Sequence, residues 1–467
     1  MSILGLHINR ESPVSITEQL IAQIRSMILN GKLKGGEKLP SSRHLSNELN
    51  ISRNTVLNTY DQLLAEGYLE SRQGSGTFVV NLDKTLLPEM LEDPNRYPKA
   101  VNSSHRKIIR FHSGNPDSLS FPRAQWAKTL KETCMYSSAN AYEYRPVSGE
   151  RELRRAISRY LFRSKGIECE PEDILIIPGT TRGIDLLAGI FRRKSSAVII
   201  EDPSIDFIQF IFKYHGYDLL PVSVDEFGIK TENLPENCHA KLIYVVPSHQ
   251  FPIGGVLPIN RRLQLLDFAR SNNAYIIEDD YDSEFRYRGL PIQSLRHLDP
   301  DRVIYIGTFS KIFSPGLRLG YMIAPRHLNA EIVDMMTRLN IHAATHEQLA
   351  MARFIEEKQL DRHIYKMKKH YEKKRMHLIQ SLHSAFESRI KISGANAGLH
   401  VLVTFPNHDF CPEDLKKLYE NGVAVDWVED YAIQKGFHRN QLVLGYGNLQ
   451  PEEITQGVEI IKGTLLL

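Results

Sequence analysis

The segment Thr308-Phe309-Ser310-Lys311 closes an apolar run, and Ser314-Pro315-Gly316-Leu317-Arg318-Leu319-Gly320 follows it. A lysine held at the end of a covered strand loses hydration, which lowers the amine's pKa and favours imine formation with an aldehyde. Most lysines are only solvated charges, so the neighbours decide. Here Arg318 and the hydroxyls of Thr308 and Ser310 can meet an anionic group. Far upstream, Pro178-Gly179-Thr180-Thr181 lies between a strand and a helix, where backbone N–H groups at the helix start favour a phosphate. Two distant segments thus provide for one anion. Ile276-Ile277-Glu278-Asp279-Asp280-Tyr281 ends another strand in acids. A buried carboxylate is costly unless it meets a cation, and a protonated pyridine nitrogen supplies one. Either Asp279 or Asp280 suits that place; either can instead cap the next helix or face solvent.

A second kind of chemistry sits near the N-terminus. Ser52-Arg53-Asn54-Thr55 opens a helix, so its donors project from a helix start, the part that enters a DNA major groove. Lys32, Lys34, Lys38, Arg43 and Arg53 stand against only Glu37 and Glu48 in the same short stretch, a local excess of the sort that binds phosphates without reading bases. Gln73-Gly74-Ser75-Gly76 forms a hairpin tip whose glycines allow close approach to a sugar-phosphate backbone. The competing reading is a small helical cap with a solvated charged face.

The elements that must position these groups are legible. Ser15 and Glu18 make a capping box, and Ile16, Leu20, Ile24 and Ile28 recur at helical spacing up to Gly31. Ser41 caps a short helix carrying Leu45 and Leu49. Ser52 caps a third with Val56, Tyr60, Leu63 and Leu64 inward, leaving Arg53, Asn54, Thr55, Asn58 and Thr59 outside. Tyr68–Ser71 and Thr77–Val80 flank the glycine tip as a two-stranded hairpin. Three helices and a hairpin predict a winged helix-turn-helix over residues 1–80. Residues 81–108, rich in Pro, charge and small polar side chains, read as a linker. Beyond it, apolar runs 174–177, 197–200, 242–246, 274–277 and 303–306 alternate with helical text such as 263–270. That predicts an α/β domain over 109–467, its mostly parallel sheet covered on both faces, with a smaller α+β subdomain from roughly 337 to 467.

Composition bounds the rest. The chain has 467 residues, 42% hydrophobic and 24% charged, so it has material for a sizeable core and for more than one folding unit. Lys+Arg 58 against Asp+Glu 55 leaves +3, so any nucleic-acid surface must be local. Cys134, Cys169, Cys238 and Cys411 lie far apart without a CxxC pair; they read as buried thiols, with no metal site. No targeting stretch or long apolar run occurs, and a cytoplasmic location is expected.

The run from Lys38 through Val79, with its P-S-x-R element, S-R-x-T-V helix start and G-x-G-T-F-V wing, resembles the winged-helix domain of GntR-family bacterial regulators. That resemblance assigns Arg43 to DNA-backbone contacts, Ser52, Arg53, Asn54 and Thr55 to the recognition helix and its start, and Gly74 and Gly76 to the wing. From about Arg110 onward, S-K-I-F-S-P-G-L-R-L-G-Y, E-D-D-Y, E-D-P and P-S-H-Q-F-P-I-G occur in the order of the fold-type I aminotransferase superfamily. It implies pyridoxal 5′-phosphate (PLP) in Schiff-base linkage to Lys311, Asp279 at the pyridine nitrogen and Tyr281 at the ring hydroxyl. Gly179, Thr180, Thr181, Thr308, Ser310 and Arg318 would hold the phosphate, Tyr144 would reach a neighbouring subunit's phosphate, and His249 and Gln250 would stand at the ring in place of the usual Asn-Pro. The order of the two halves resembles the MocR/GabR subfamily of regulators.

One departure bears on activity. Aminotransferases grip a substrate carboxylate with an arginine near the C-terminal strand, because a planar fork binds it bidentately. Here Asn440–Gly447 contains none, and Arg439 is out of register. Ser204-Ile205-Asp206-Phe207 follows Glu201-Asp202-Pro203 where relatives often carry other recognition residues. The resemblance therefore implies a homodimeric, operator-binding regulator that senses an amine, an amino acid or PLP itself. A working aminotransferase with an accessory DNA-binding module is the alternative.

Overall fold

The computed structural model describes residues 4–12, 14–82, 108–236, 238–287, 289 and 292–465. The chain divides into two compact units, one on each side of residues 103/104. Most of the expected linker, 83–107, lies outside the described residues.

In the N-terminal unit, helix α1 (Ile16–Leu29) starts at Ser15, whose hydroxyl accepts from Glu18 N–H while the Glu18 carboxylate accepts from Ser15 N–H. Two orphan donors are satisfied at once, which fixes the start. Helices α2 (Ser42–Leu49) and α3 (Arg53–Ala65) have simpler caps, the hydroxyls of Ser41 and Ser52 accepting from the N–H groups of His44 and Thr55. Leu20, Ile24, Leu45, Val56 and Leu63 are fully buried where the three helices meet. Strands β1 (Leu69–Arg72) and β2 (Gly76–Val79) pair antiparallel, with Arg72 opposite Gly76.

Thr59 corrects the outer face drawn above: it is buried, not solvent-facing. Its hydroxyl donates to the Thr55 carbonyl at 2.8 Å, which lets a polar side chain enter the core with its hydrogen bond made.

The C-terminal unit is built on an eight-stranded sheet. With β3 at Ile109–Phe111, its members are β4 (Ile174–Ile177), β5 (Ala197–Asp202), β6 (Asp218–Asp225), β7 (Gly228–Ile229), β8 (Leu242–Val245), β9 (Tyr275–Asp280), β10 (Val303–Thr308) and β11 (Gly320–Ile323). The order is β4-β11-β10-β9-β8-β5-β6-β7. The central pairs β10/β9, β9/β8, β8/β5 and β5/β6 are parallel, whereas β11 runs antiparallel to both neighbours. Apolar side chains leave both faces: Ile177, Ile200 and Ile306 enter one cluster and Ile199, Ile243 and Ile276 another, which explains the unbroken apolar text of these strands.

A second sheet holds β12 (Lys391–Ser393), β13 (His400–Thr404), β14 (Val423–Trp427) and β15 (Gln441–Gly445), in the order β12-β13-β15-β14-β3. The edge strand β3 lies far outside 337–467 and pairs parallel with β14. The chain therefore enters this sheet first, and residues 112–115 then run beside β15. Side chains would block that path: a Cβ on Gly445 would lie 2.1 Å from the His112 carbonyl oxygen, and one on Gly447 2.6 Å from that of Asn115. Glycine at both positions admits the crossing. Among the described residues no helix is long and apolar enough to cross a membrane, and no three His, Cys, Asp or Glu cluster as a metal would need. The four cysteines are free; Cys134 is exposed and the others half-buried, so the expectation of four buried thiols does not hold.

Candidate functional site

Strands β4, β9 and β10 point the same way, and their carboxyl ends open on one cavity of about 400 Å³. That is where ligands enter open α/β sheets. Thr180, Thr181, Asp279, Tyr281, Thr308, Ser310, Lys311 and Arg318, separated by up to 138 positions in sequence, all line it.

Each group has a local cause for its place. Lys311 follows the end of β10, and its amine donates to the Gly114 carbonyl. Burial pushes this amine's pKa below its ordinary value, opposed by the charges of Asp282 and Asp279. Gly179 sits at φ +90° and caps helix α6 (Thr180–Phe191); α4 is Arg123–Tyr136 and α5 is Arg151–Lys165. A Cβ at 179 would come within 2.8 Å of Arg318 Nη2, so glycine lets the guanidinium approach the helix start, where Nη2 donates to the Pro178 carbonyl at 3.3 Å. Thr308 Oγ1 accepts from Ser310 N–H at 3.1 Å and pairs with Ser310 Oγ at 3.0 Å. The turn thus gathers two hydroxyls, one guanidinium and a helix N-terminus.

The two candidate acids separate cleanly. Asp280 Oδ2 meets Lys165 Nζ at 2.7 Å and Tyr305 OH at 2.6 Å, and Lys165 also reaches Glu284 at 2.9 Å. Burial opposes ionisation of Asp280, yet the Lys165 charge wins and holds its pKa below the ordinary carboxylate value. Asp279, only 2% exposed, accepts from Tyr244 OH at 2.8 Å through Oδ2, while Oδ1 has no partner. Asp280 Oδ1 is also unpartnered, so the cation, not the orphan oxygen, distinguishes the pair. Burial pushes Asp279 up to about 7, against the opposing Tyr244 hydrogen bond. It is the acid that still lacks a cation.

His249 and Gln250 are not among the residues lining this cavity. Gln250 Nε2 donates to Pro203 O at 3.0 Å and Phe251 O at 2.7 Å, and its Oε1 accepts from Ile253 N–H at 3.2 Å, so its polar atoms brace the loop. His249 Nδ1 lies 3.0 Å from Asp282 Oδ2; burial alone would lower the imidazole pKa, but that carboxylate holds it above the ordinary value. Tyr281 OH donates to the His249 carbonyl at 3.2 Å, so His249 adjoins a lining residue rather than the cavity. Tyr144 is 98% exposed and does not line the cavity of its own subunit.

Sequence reasoning missed the loop His112–Asn115, Tyr244, Lys165 and Tyr431; Asp206 and Phe207, named above only as standing where relatives carry other recognition residues, line the cavity. Lys165 reads as an ordinary last-turn cation of α5 and Tyr244 as one more strand residue, so neither carried a signal. Ser113-Gly114-Asn115-Pro116 did carry one, as a cluster of turn residues just after an apolar strand.

In the N-terminal unit, Arg43, Ser52, Arg53 and Asn54 are exposed and Thr55 half-buried. Ser52 Oγ accepts from Thr55 N–H at 3.1 Å and pairs with Thr55 Oγ1 at 2.8 Å, so these two hydroxyls build the start of α3. Arg53 Nε donates to Ser42 Oγ at 3.3 Å, which tethers α3 to α2. At the wing Gly74 (φ +71°) and Gly76 (φ +114°) take conformations that side chains rarely adopt. Arg72, which the sequence reading left out, lies over the Phe78 ring at 4.4 Å, and Lys38 of the basic stretch lies over it at 5.9 Å, so two cations stand near the wing.

Residues 16–79 match the model of bacterial regulatory proteins of the gntR family, and residues 106–461 that of aminotransferase class I and II. An uncharacterized HTH-type transcriptional regulator, YdeL of Bacillus subtilis, is 34% identical, with 97% of this chain and 98% of that one covered. The chain belongs to the HTH-type transcriptional regulators with an aminotransferase class I and II domain. Other members of this regulator family are the probable rhizopine catabolism regulatory protein MocR of Rhizobium meliloti (32% identical; 99% and 96% covered) and the pyridoxine biosynthesis transcriptional regulator PdxR of Corynebacterium glutamicum (32%; 95% of each). Among solved structures, the multiple substrate aminotransferase of Thermococcus profundus covers 78% of the regulator and 93% of its own chain, with TM-score 0.71 and 26% identity.

The aminotransferase family implies PLP as cofactor of the regulator, and DNA as partner follows from its gntR domain. The residues present fit PLP. Asp279 Oδ1 is a buried acceptor without a partner in the cavity wall, and the Gly179–Arg318 cradle would be closed by a single Cβ. Asp279 suits the ring nitrogen, the α6 start with Arg318 and Ser310 the phosphate, and Lys311 the aldehyde.

Proposed function

We propose that this regulator holds PLP at Lys311, senses a small amine-bearing effector or PLP itself there, and acts as a homodimer whose N-terminal units grip paired operator half-sites. The observation that carries the reading is the meeting, in one cavity, of a desolvated amine and an unpaired buried carboxylate oxygen. PLP bound there supplies an aldehyde that takes up primary amines and a ring that withdraws electrons. The chain's own part is to lower the pKa of the Lys311 amine by burial, to offer Asp279 as the counter-charge of a ring cation, and to receive an anion between Arg318 and the start of α6.

A dimer is supported by what is exposed. Tyr144 stands clear of its own cavity, and Phe207, Phe210 and Tyr214 are exposed along helix α7 (Asp206–Tyr214). Winged heads read paired sites through such symmetry. On the DNA side, the exposure of Arg53 and Asn54 at the start of α3 and of Arg43 on α2 supports a reading in which the first two reach base edges and the third the phosphates. A ligand shifts this regulator only through different affinity for two arrangements of the dimer.

The test is a titration of purified protein with PLP and then amines and amino acids, following the visible absorbance. It is repeated with duplex DNA that the protein has selected from a random pool. The expected result is a visible band, an effector-dependent change in it, and altered DNA affinity. Protein that gains no band, or selects no DNA, overturns the reading. Sustained keto-acid production with a second keto acid would instead establish the aminotransferase.

A further inference from the structure

We propose that the effector side of the PLP cavity selects a primary amine bearing a second cationic group and disfavours one bearing a carboxylate. This rests on the reading of Lys311 and Asp279 given above and names the ligand class of that site.

Once the phosphate and ring positions are assigned, Arg318 and Asp279 are spoken for, and the wall left for an effector includes Ser113, Asp206, Phe207 and Tyr431. Among the described lining residues, Lys311 and Arg318 are the only lysine and arginine, so no guanidinium of the same subunit remains to fork onto a carboxylate. The charge there has the opposite sign. Asp206 lines the cavity itself, and Asp426 stands directly behind Ser113, whose N–H and hydroxyl donate to its Oδ2 at 3.1 and 2.8 Å.

Asp426, Asp206 and Asp430 all act on the Tyr431 hydroxyl, raising a pKa that burial has already raised. Burial also raises Asp430; Lys435 opposes that rise, and Glu429, Asp426 and Asp206 add to it. The Lys435 ammonium is itself engaged by the Glu429 carbonyl at 2.6 Å, so it is held on that loop. These acids make no site on their own; they face a cavity already marked by the unpaired Asp279 oxygen and the Lys311 amine. A distal ammonium entering there meets net negative potential, and a distal carboxylate meets repulsion.

The experiment uses the full-length, PLP-loaded protein and three four-carbon probes: 1,4-diaminobutane, 1-aminobutane and 4-aminobutanoate. Calorimetric affinity and displacement of the visible band are both read. The diamine is expected to bind about fivefold tighter than 1-aminobutane, with 4-aminobutanoate weakest, and the spread should narrow as salt is raised. In Asp206→Asn the diamine's advantage over 1-aminobutane should fall to within about twofold, and in Asp206→Arg the order of diamine and 4-aminobutanoate should reverse. The proposal is overturned if the unmodified protein binds 4-aminobutanoate as tightly as the diamine. It is equally overturned if the diamine's advantage survives in both Asp206 variants and in Asp426→Asn. No response to any probe from protein with an intact band also overturns it, while leaving the cofactor reading standing; absence of the band removes that reading and this inference together.

Discussion

Arg43, Arg53 and Asn54 stand exposed on the N-terminal unit, whereas Asp279 and Lys311 are enclosed at strand ends in the C-terminal one. The difference follows from what each must meet. A duplex is a large polyanion read from outside, so long exposed cations suit it. A small cofactor is held by groups whose hydration has been stripped, because a desolvated amine and an unpaired acid interact more strongly with it than solvated ones would. In the first unit a side chain's value lies in where the helix start projects; in the second it lies in what surrounds the side chain.

The comparison can be broken by substitutions that affect one unit and not the other. The largest effect is expected for Lys311→Ala: complete loss of the visible band and of any borohydride-trapped adduct, with DNA affinity in the absence of effector unchanged within about twofold. Retention of a trapped adduct in that variant would put the cofactor linkage elsewhere.

Asp279→Asn should split stability from binding. An acid whose pKa is raised to about 7 keeps, in the folded state, a proton that the unfolded chain has lost. In cofactor-free protein this group therefore costs stability progressively as pH rises from about 4 to about 7, and most above that. The Asn variant should be more stable to unfolding than the parent at pH 8, by on the order of 4 kcal/mol, and no more stable at pH 4. Its affinity for PLP should fall by at least about tenfold, since the ring cation loses its counter-charge. A parent and variant with identical pH profiles would show that Asp279 does not carry this cost.

Arg53→Ala should do the reverse of Lys311→Ala, weakening binding to selected DNA by about 10- to 100-fold while the cofactor band is unaltered. Unchanged DNA affinity would remove α3 from the interface. The smallest effect is expected for Ser52→Ala, which takes away the cap of α3. About 1 kcal/mol of local stability should be lost, read as faster hydrogen exchange at the Thr55 amide, with the C-terminal unit untouched.

The helix starts at Ser15, Ser41 and Ser52 and the strands around residues 174–177, 242–245 and 303–308 were legible because each is set by neighbours in sequence. A hydroxyl three residues before its N–H partner, or an unbroken apolar run, needs no distant contact to be recognised. Thr59 was misplaced because its burial depends on a back-bonded hydroxyl that leaves no mark in the pattern. The edge strand β3 was missed because three residues far from the second sheet in sequence carry no period of their own.

The candidate site divides along the same line. Lys311, Arg318, Gly179 and Thr180 belong to short contiguous motifs, so residue type and spacing alone named them. The choice between Asp279 and Asp280 was different: residue type left it open, the resemblance named Asp279, and the physical reason is Lys165, which arrives from α5 to neutralise one and not the other. Likewise Gly445 and Gly447 read as loop-prone residues until the crossing of 112–115 gave them a task. Sequence by itself determined the local grammar, two units and the groups able to do chemistry, because hydrogen bonds and periodicity act over a few residues. Only the tertiary structure decided which acid is left unpaired and which charges face the effector, because those depend on groups brought together from distant parts of the chain.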